Sequence, residues 1–291
     1  MYAAGLTFRE GRMSQSVDTS ASHLSKVDPV WARLRQEAEA SAAAEPILAS
    51  YLHAAILNHR SFESSLAYHL AEELGNKQAG AMLLQQVFDE AYEATPDIAD
   101  MARADLMAVV DRDPACDFFL QPLLYFKGFQ ALQCYRVAHW CWEQDRLAMA
   151  YHLQSRISEA YGVDIHPNAK IGRGVMMDHA TSIVIGETAV VGDDVSMLHS
   201  VTLGGTGKED GDRHPKIGRG VLLGAGAKVL GNIHVGDCSR VAAGSVVTKD
   251  VPNNTTVAGV PAKVIGESGC PEPARSMDQM VGCGEEDGSS I

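Results

Sequence analysis

A histidine preceded by carboxylates is the strongest candidate for catalysis in this sequence. His179 directly follows Asp178, and Asp164 opens the segment that leads to this pair. An acidic partner fixes the tautomer of a histidine and stabilises its imidazolium, so the ring can act as a general base. In an architecture with about 18 residues per coil, Asp164 could lie one level below the Asp178-His179 corner. The alternative is a histidine exposed at a corner without a chemical role.

A second group of candidates could bind a substrate. Arg213 precedes His214, and a guanidinium can hold a carboxylate by two parallel hydrogen bonds, although a solvated charge in an acidic loop is the alternative. The run Gly204-Gly205-Thr206-Gly207-Lys208 offers amides and a cation for a pyrophosphate or a pantetheine amide. It lacks the spacing of a nucleoside triphosphate loop. Asp113 precedes a proline at a predicted helix end, where it either stops the helix or reaches a site on the neighbouring domain.

A repeat of six residues must position these side chains. The series that starts at Ile217 continues through Leu223, Val229, Val235, Val241 and Val247. The same spacing runs upstream from Ile165 to Ile183, slips by two residues, and resumes at Ile185. A period of six fits neither an α-helix nor an alternating strand. It is typical of a parallel β-helix, in which each coil buries its apolar side chains by stacking on the next.

The sequence before the repeat predicts helices. Asp28 followed by Pro29 is typical of a helix start, and Pro46 and Ser61 open two further helices. Later helices are predicted over residues 79–94, 97–111, 122–144 and 145–160. We therefore predict an α+β chain with a disordered extension over 1–27, a helical domain over 28–162, a β-helix over 163–264 and a flexible tail over 265–291. A polar loop is expected to interrupt the β-helix between Gly204 and Lys216.

Composition excludes several classes of function. The net charge of -13 argues against a nucleic-acid partner, because phosphates would be repelled. No segment approaches the roughly 20 apolar residues that span a bilayer. The six cysteines contain no C-x-x-C pair, which indicates reduced thiols and a cytoplasmic protein without a structural zinc site.

Two functions of other classes remain open from the residues alone. His199 adds a third histidine to the repeat, and three histidines could bind zinc between subunits, as in a carbonic anhydrase with this fold. Stoichiometric zinc that is lost on replacement of His199 would support that enzyme. The other alternative is a scaffold protein without activity, whose helical domain mediates assembly.

Together these features resemble the serine O-acetyltransferases. The resemblance covers nearly all of residues 28–291, and the helical domain with Asp-Arg-Asp-Pro and Gly-Asp-Arg-His-Pro-Lys is its most specific part. It implies a left-handed parallel β-helix of hexapeptide repeats, trimers formed side by side, and two trimers joined through their helical domains. The motifs that carry it are Asp164-Ile-His-Pro, Asp178-His179-Ala-Thr, Gly204-Gly-Thr-Gly-Lys, Gly211-Asp-Arg-His-Pro-Lys216 and the less specific Ala258-Gly-Val-Pro-Ala262.

The resemblance also implies a reaction, the transfer of acetyl from acetyl-CoA to the hydroxyl of L-serine in cytosolic cysteine biosynthesis. His179 would be the base and Asp164 its orienting partner. The implied serine-binding residues are Asp113 and Asp178 for the amino group, and Arg213 and His214, with Arg213 on the carboxylate. Acetyl-CoA is expected in the groove between neighbouring β-helices, beside Gly204, Gly205, Thr206, Lys208, Ala225 and Ala243. No metal and no permanently bound cofactor are expected.

Regulation and a protein partner follow from the same resemblance. L-Cysteine is expected to inhibit in competition with L-serine, and Met277 is expected to pack near the site and tune this sensitivity. The chain ends in an aliphatic residue, Ile291, on an acidic tether. A terminal carboxylate of this kind suits a backbone nest with an apolar pocket. The implied partner is O-acetylserine sulfhydrylase, whose active site would receive Ile291.

Overall fold

A computed structural model describes residues 28–207 and 210–279 of the chain. The predictions for the extension over 1–27, for Lys208 and for Ile291 lie outside these residues. In the described part, helices form the first half and short parallel strands the second. None of the described helices combines the length and apolar character that a membrane crossing requires.

The helical half of the described chain contains eight α-helices. Asp28 caps the first one, because its Oδ1 accepts the backbone amides of Val30 and Trp31 at 3.0 and 3.2 Å. Apolar faces with fully buried Leu34, Phe62 and Leu66 form the core. The α-helices are α1 Pro29–Ala44, α2 Ala49–Leu52, α3 Phe62–Leu74, α4 Ala81–Ala94, α5 Asp97–Arg112, α6 Leu120–Tyr125, α7 Lys127–Glu143 and α8 Leu147–Tyr161, with 3-10 and π turns at Pro46–Leu48 and His53–Leu57.

A single predicted helix over 122–144 was wrong, because the chain breaks at Phe126. This residue has extended backbone angles of -93° and 103°, so α6 ends before it and α7 starts after it. The break turns the start of α7 toward the β-helix, where Gly128 lies against the carbonyl of Met177. Sequence periodicity does not show such a break, since both helices are apolar.

Stacked parallel strands form a β-helix with three faces, as predicted. We call the faces A, B and C in chain order, so each coil crosses A, then B, then C. Inward residues such as Val163, Ile183, Val201 and Val229 are fully buried. Face A holds β1 Val163–Ile165, β4 Ile183–Ile185, β7 Thr202–Gly204, β10 Lys228–Leu230 and β13 Val246–Val247; face B holds β2 Lys170–Ile171, β5 Val190–Val191, β8 Lys216–Ile217 and β11 His234–Val235; face C holds β3 Met176–Met177, β6 Ser196–Met197, β9 Leu222–Leu223, β12 Arg240–Val241, β14 Thr255–Ala258 and β15 Lys263–Glu267.

The slip of two residues in the repeat lies in one corner of the first coil. Met177 pairs with Met197 and Ile165 with Ile185, whereas the coil above pairs Ile185 with Leu203. The extra residues therefore fall between β3 and β4, at residues 178–182. We call this segment the 178–182 corner. The predicted polar loop is also present, between the end of β7 and the start of β8.

The segment after residue 264 differs from the predicted free tail. Strand β15 continues to Glu267 and pairs antiparallel with β14. A short helix, α9 Pro273–Ser276, then packs on the β-helix, where the Ser196 hydroxyl donates to the Ala274 carbonyl at 2.8 Å. Arg275 forms an ion pair with Asp111 of α5 at 2.8 Å. Composition pointed to a mobile tail, but these contacts with folded elements supply the order. Residues 280–291 lie outside the description.

A buried ion pair joins the helical domain to the β-helix. Asp105 of α5 is fully buried, and its Oδ2 accepts Nε and Nη2 of Arg136 at 2.9 and 2.7 Å. Its Oδ1 accepts the backbone amide of Val175, beside β3, at 2.9 Å. Arg136 in turn donates to the carbonyls of Ile171 and Gly172. These hydrogen bonds connect the two domains, and they give both the Asp105 carboxylate and the Arg136 guanidinium partners.

Acid is expected to weaken the helical domain through His69. This ring is 2% exposed, its Nε2 lies 2.9 Å from Gln130 Nε2, and burial lowers its pKa from 6.5 to about 4. Because the folded pKa is depressed, the unfolded chain binds more protons as the pH falls below 6.5. We expect the free energy of unfolding to fall by about 2 kcal/mol between pH 7.5 and pH 5 on this account.

Urea unfolding of the wild type and of His69→Gln at both pH values measures this loss. The variant should lose correspondingly less stability on acidification. The control is His53→Gln, which replaces an exposed histidine of the same domain and should behave as the wild type. An equal acid loss in the wild type and in His69→Gln would contradict the assignment.

Candidate active site

A cavity of about 1030 Å³ lies where the two domains meet the C-terminal segment. The end of α5, the start of α7, the 178–182 corner and the residues after α9 form its walls. Three predicted site residues, His179, Asp178 and Asp113, line it together. Met277 lines it as well, and packs near Val109, Cys116 and Met176. The cavity therefore combines an imidazole with the carboxylates of Asp113 and Asp178, and Asp111 lines it as well.

The backbone turns His179 into this cavity. Its φ of 54° lies in the left-handed region, as do those of Ala180 and Ser182 in the same corner. A residue other than glycine rarely adopts this conformation, and such strain is concentrated at functional sites. The side chain is 76% exposed, its Nε2 lies 3.9 Å from Asp178 Oδ1, and its ring packs edge-on to His199 at 6.1 Å. Access and orientation suit a base that meets a substrate from solvent.

The carboxylate of Asp113 reaches the cavity from the end of α5. Its Oδ1 accepts the backbone amide of Ala115 at 2.8 Å, which closes the turn after the helix. Arg112, whose side chain is 6% exposed, anchors the same turn through the Ser196 hydroxyl at 3.0 Å. Asp113 therefore both ends the helix and lines the cavity, and its role in a site remains a prediction. With Asp178 it could bind an ammonium group.

Arg213 and His214 lie at a different edge of the β-helix, between faces A and B. Arg213 Nη2 pairs with Glu187 Oε2 at 2.8 Å. Thr188 Oγ1 accepts the backbone amides of both residues and lies 2.9 Å from His214 Nδ1. Gly186 leaves room for the His214 ring, because an added Cβ would come within 2.0 Å of it. This arrangement presents a guanidinium and an imidazole from one rigid corner.

The charge states of this pair follow from its surroundings. Burial lowers the pKa of His214, and the neighbouring Arg213 lowers it further. A hydrogen bond from Arg213 lowers the pKa of Glu187. His214 is therefore neutral near pH 7, while Glu187 and Arg213 carry opposite charges. The guanidinium keeps further donors for a second carboxylate.

Asp164 lies on face A and does not meet His179 within one chain. It stacks beneath Val184, and its Oδ1 accepts Nε2 of Gln154 at 2.8 Å. The expected position one level below the 178–182 corner is wrong, because that corner joins faces C and A whereas Asp164 lies within face A. Its pairing with His179 remains a prediction that a single chain does not fulfil.

The residues predicted to contact acetyl-CoA are divided between the same two edges. Ala225 and Ala243 stack above His199 along the C–A edge, since the amide of Gly226 donates to the His199 carbonyl and that of Gly244 to Ala225. Gly204, Gly205 and Thr206 lie at the A–B edge, where Gly205 packs on the Arg213 side chain. Small residues thus lie at both edges, and those at the C–A edge stack above His199.

Several residues that hold the candidate site in place were not predicted from the sequence. Glu187 and Thr188 are polar residues at a coil corner, and their departure from the apolar repeat was a usable signal. Lys127 lines the cavity beside His179, but nothing in its sequence context marks it. Across the described residues, no group of three or more His, Cys, Asp or Glu side chains could hold a metal ion.

Two family models match this chain. The model for the N-terminal part of serine acetyltransferase matches residues 30–134, and the bacterial transferase hexapeptide model, of six repeats, matches residues 214–249. A serine acetyltransferase from Salmonella typhimurium is 53% identical over 254 residues, which make up 87% of this chain and 93% of that protein.

Three solved serine acetyltransferase structures share the fold. A complex with coenzyme A from Brucella abortus has a TM-score of 0.83 at 56% identity and covers 84% of this chain and 98% of its own. A complex with cysteine has a TM-score of 0.85 at 51% identity, over 87% and 98%. A complex with serine from Neisseria gonorrhoeae has a TM-score of 0.80 at 51% identity, over 81% and 97%.

Proposed function

Because the chain belongs to the serine acetyltransferase family, we propose that it transfers acetyl from acetyl-CoA to the hydroxyl of L-serine. The products are O-acetyl-L-serine and CoA, and the setting is cysteine biosynthesis in the cytoplasm. The observation that carries the proposal is the cavity that an accessible His179 shares with the carboxylates of Asp113 and Asp178. The related structures with serine and with coenzyme A support the choice of substrates.

The complete site forms between neighbouring copies in this proposal. Face A carries Val184, 40% exposed, between Asp164 and Thr202 on its outer side. Packing this face around a threefold axis covers Val184 and brings the C–A edge of one copy to the A–B edge of the next. His179, Asp178 and Asp113 would then face the next copy's Arg213 and His214. Measurement of the molecular mass in solution tests the trimer.

Exposed apolar residues of the helical domain favour a second level of assembly. Ile47 and Met82 are 85% and 86% exposed, and Leu48, Tyr51 and Leu83 are also exposed. A patch of this kind marks an interaction surface. We propose that it joins two trimers, so a mass of six chains is expected, and a mass of three would contradict it.

The chemistry needs one base and no metal. The His179 imidazole takes the proton of the serine hydroxyl while the serine oxygen attacks the thioester carbonyl, and a C–O bond forms. Collapse of the tetrahedral intermediate breaks the C–S bond, and the protonated imidazole returns its proton to the CoA sulfur. Asp113 and Asp178 hold the serine ammonium, and Arg213 holds its carboxylate. Asp164 is proposed to orient the base across the subunit contact.

The acetyl donor is proposed to lie along the small residues of the C–A and A–B edges. Ala225 and Ala243 leave room at one edge, and Gly204, Gly205 and Thr206 at the facing edge of the next copy. Lys208 is proposed to contact the phosphates. No cofactor remains bound between turnovers. Loss of the acetyl-CoA thioester, followed with and without L-serine, tests the function, and no turnover with L-serine would refute it.

L-Cysteine is proposed as a competitive inhibitor at the serine site. It keeps the amino and carboxylate groups of serine and differs only in sulfur for oxygen. A related structure holds cysteine, which supports this choice. Met277 lines the cavity and is proposed to tune the inhibition.

Replacement of Arg213 by lysine is expected to weaken serine binding by about tenfold. Lysine keeps the charge but loses the planar fork that matches a carboxylate. The KM for serine and the inhibition constant of L-cysteine should rise together, and the KM for acetyl-CoA should change less. Steady-state kinetics with each substrate varied in turn measure all three. Equal losses for serine and acetyl-CoA would count against this role.

Removal of Ile291 is expected to abolish binding to O-acetylserine sulfhydrylase, the proposed partner. The terminal carboxylate and side chain would enter its active site and compete with O-acetylserine, since such a carboxylate suits a backbone nest with an apolar pocket. Calorimetric titration with the full chain and with the truncated chain measures the difference. Full binding by the truncated protein would place the contact elsewhere.

A further inference from the structure

We propose that Lys127 and Gly128, at the start of α7, position the corner that carries His179. This inference rests on the proposed role of His179 as the base. Neither residue touches the reacting atoms in that mechanism, so both are positioning residues. They belong to the helical domain, whereas His179 belongs to the β-helix.

The 178–182 corner needs support from outside the β-helix. It contains the two extra residues of the first coil, and His179, Ala180 and Ser182 all have positive φ values of 54–63°. Each such conformation is costly and persists only where the surroundings impose it. Three backbone hydrogen bonds link the corner to neighbouring coils, and they run from Asp178 to the Met197 carbonyl, from Ser182 to the Gly162 carbonyl and from Ser200 to the Thr181 carbonyl. The bonds of His179 and Ala180 lie within the corner or lead to Ile183, so this part of it requires a further contact.

Gly128 supplies one part of that contact. An added Cβ would lie 2.0 Å from the carbonyl oxygen of Met177 and 3.1 Å from the Ala180 Cβ. Glycine costs about 1 kcal/mol in a helix relative to alanine, and Gly128 is not in the left-handed region, so neither helix formation nor turn geometry explains it. Close approach does, because only glycine lets α7 rest on the backbone that leads into His179.

Lys127 supplies the other part. Its Nζ donates a short hydrogen bond to Thr181 Oγ1, two residues after His179. The same hydroxyl lies 3.4 Å from the His179 carbonyl, to which it can donate. One threonine thus connects the ammonium group to the backbone of the base. Loss of the hydrogen bond between Lys127 and Thr181 releases the corner. The Lys127 ammonium is then the one group that the substitution removes from the cavity.

The experiment compares Lys127→Met, Lys127→Arg and a matched control, Lys77→Met, which removes an exposed lysine of the helical domain. We expect Lys127→Met to lower kcat by about tenfold with both KM values within about twofold, because a small misplacement of the base slows the chemical step. Lys127→Arg should recover most of kcat, and Lys77→Met should match the wild type. Wild-type kcat in Lys127→Met, or equal losses in the Met and Arg variants, would overturn the proposal.

Gly128→Ala is the second test. Helix propensity alone predicts a stabilisation, whereas displacement of the corner predicts a lower kcat. The NMR signal of the His179 ring should shift in Lys127→Met and in Gly128→Ala. This signal is identified by its loss in His179→Ala. If the wild type lacks turnover, the proposed function fails while the ring signal still tests the positioning. An unchanged ring signal in both variants overturns it.

Discussion

Replacement of His179 by alanine is expected to slow acetyl transfer by about 10²–10⁴-fold, the usual contribution of a general base. The serine hydroxyl is a weak nucleophile near neutral pH, and His179 is the accessible base in the cavity that holds Asp113 and Asp178. The loss should appear in kcat, with a smaller change in the KM for acetyl-CoA. Thioester loss under saturating L-serine measures it.

The control for this variant is His234→Ala, which removes an exposed histidine from face B. It should retain wild-type turnover. A loss of less than about threefold in His179→Ala would show that another group accepts the proton. The remaining activity of the variant should rise with pH if hydroxide then replaces the base.

Replacement of Asp105 by alanine is expected to lower the free energy of unfolding by about 3–5 kcal/mol. The change leaves the Arg136 guanidinium, 3% exposed, without its carboxylate. It also removes the acceptor for the amide of Val175, at the junction of the domains. Urea unfolding followed by circular dichroism measures the shift of the midpoint.

Two further variants separate a buried charge from a general effect of the substitution. Asp100→Ala, on the same helix but 65% exposed, should change stability by no more than about 0.5 kcal/mol. A double variant, Asp105→Leu with Arg136→Met, should be more stable than Asp105→Ala, because no charge is left unpaired. If the double variant is no more stable than the single one, the unpaired charge is not the cause.

The repeat of six predicted the β-helix because its period is a direct consequence of packing. Every inward position of each face must be apolar, so the spacing of Ile217, Leu223 and Val229 is visible without any other information. The break at Phe126 left no comparable trace, because both flanking helices are apolar. The ordered structure of residues 265–279 was also not predicted, because it depends on contacts with residues distant in sequence, such as Asp111 and Ser196.

Sequence motifs named the candidate site residues, whose roles remain predictions, but did not give their arrangement. Motifs identified His179, Asp178, Arg213 and His214. In the structure, Asp178 and His179 lie at the C–A edge of the β-helix, and Arg213 and His214 lie at its A–B edge. The number of residues per coil predicts in which coil a residue lies. The edge of the β-helix at which it lies also depends on where extra residues are inserted in that coil. The slip of two residues before Ile185 was visible in the sequence, and it lies in the corner that carries His179.

The separation of His179 from Arg213 has a consequence for mixed assemblies. In the proposed trimer each site takes its histidine from one copy and its arginine from the next. As pure trimers, chains with His179→Ala are expected to turn over slowly, and chains with Arg213→Ala are expected to bind serine weakly. Every trimer that contains both kinds, however, has one contact at which an intact histidine meets an intact arginine. Random assembly of equal amounts of the two variant chains would therefore restore about a quarter of the wild-type sites. Two genes that each encode a defective chain could then support growth when they are expressed in one cell.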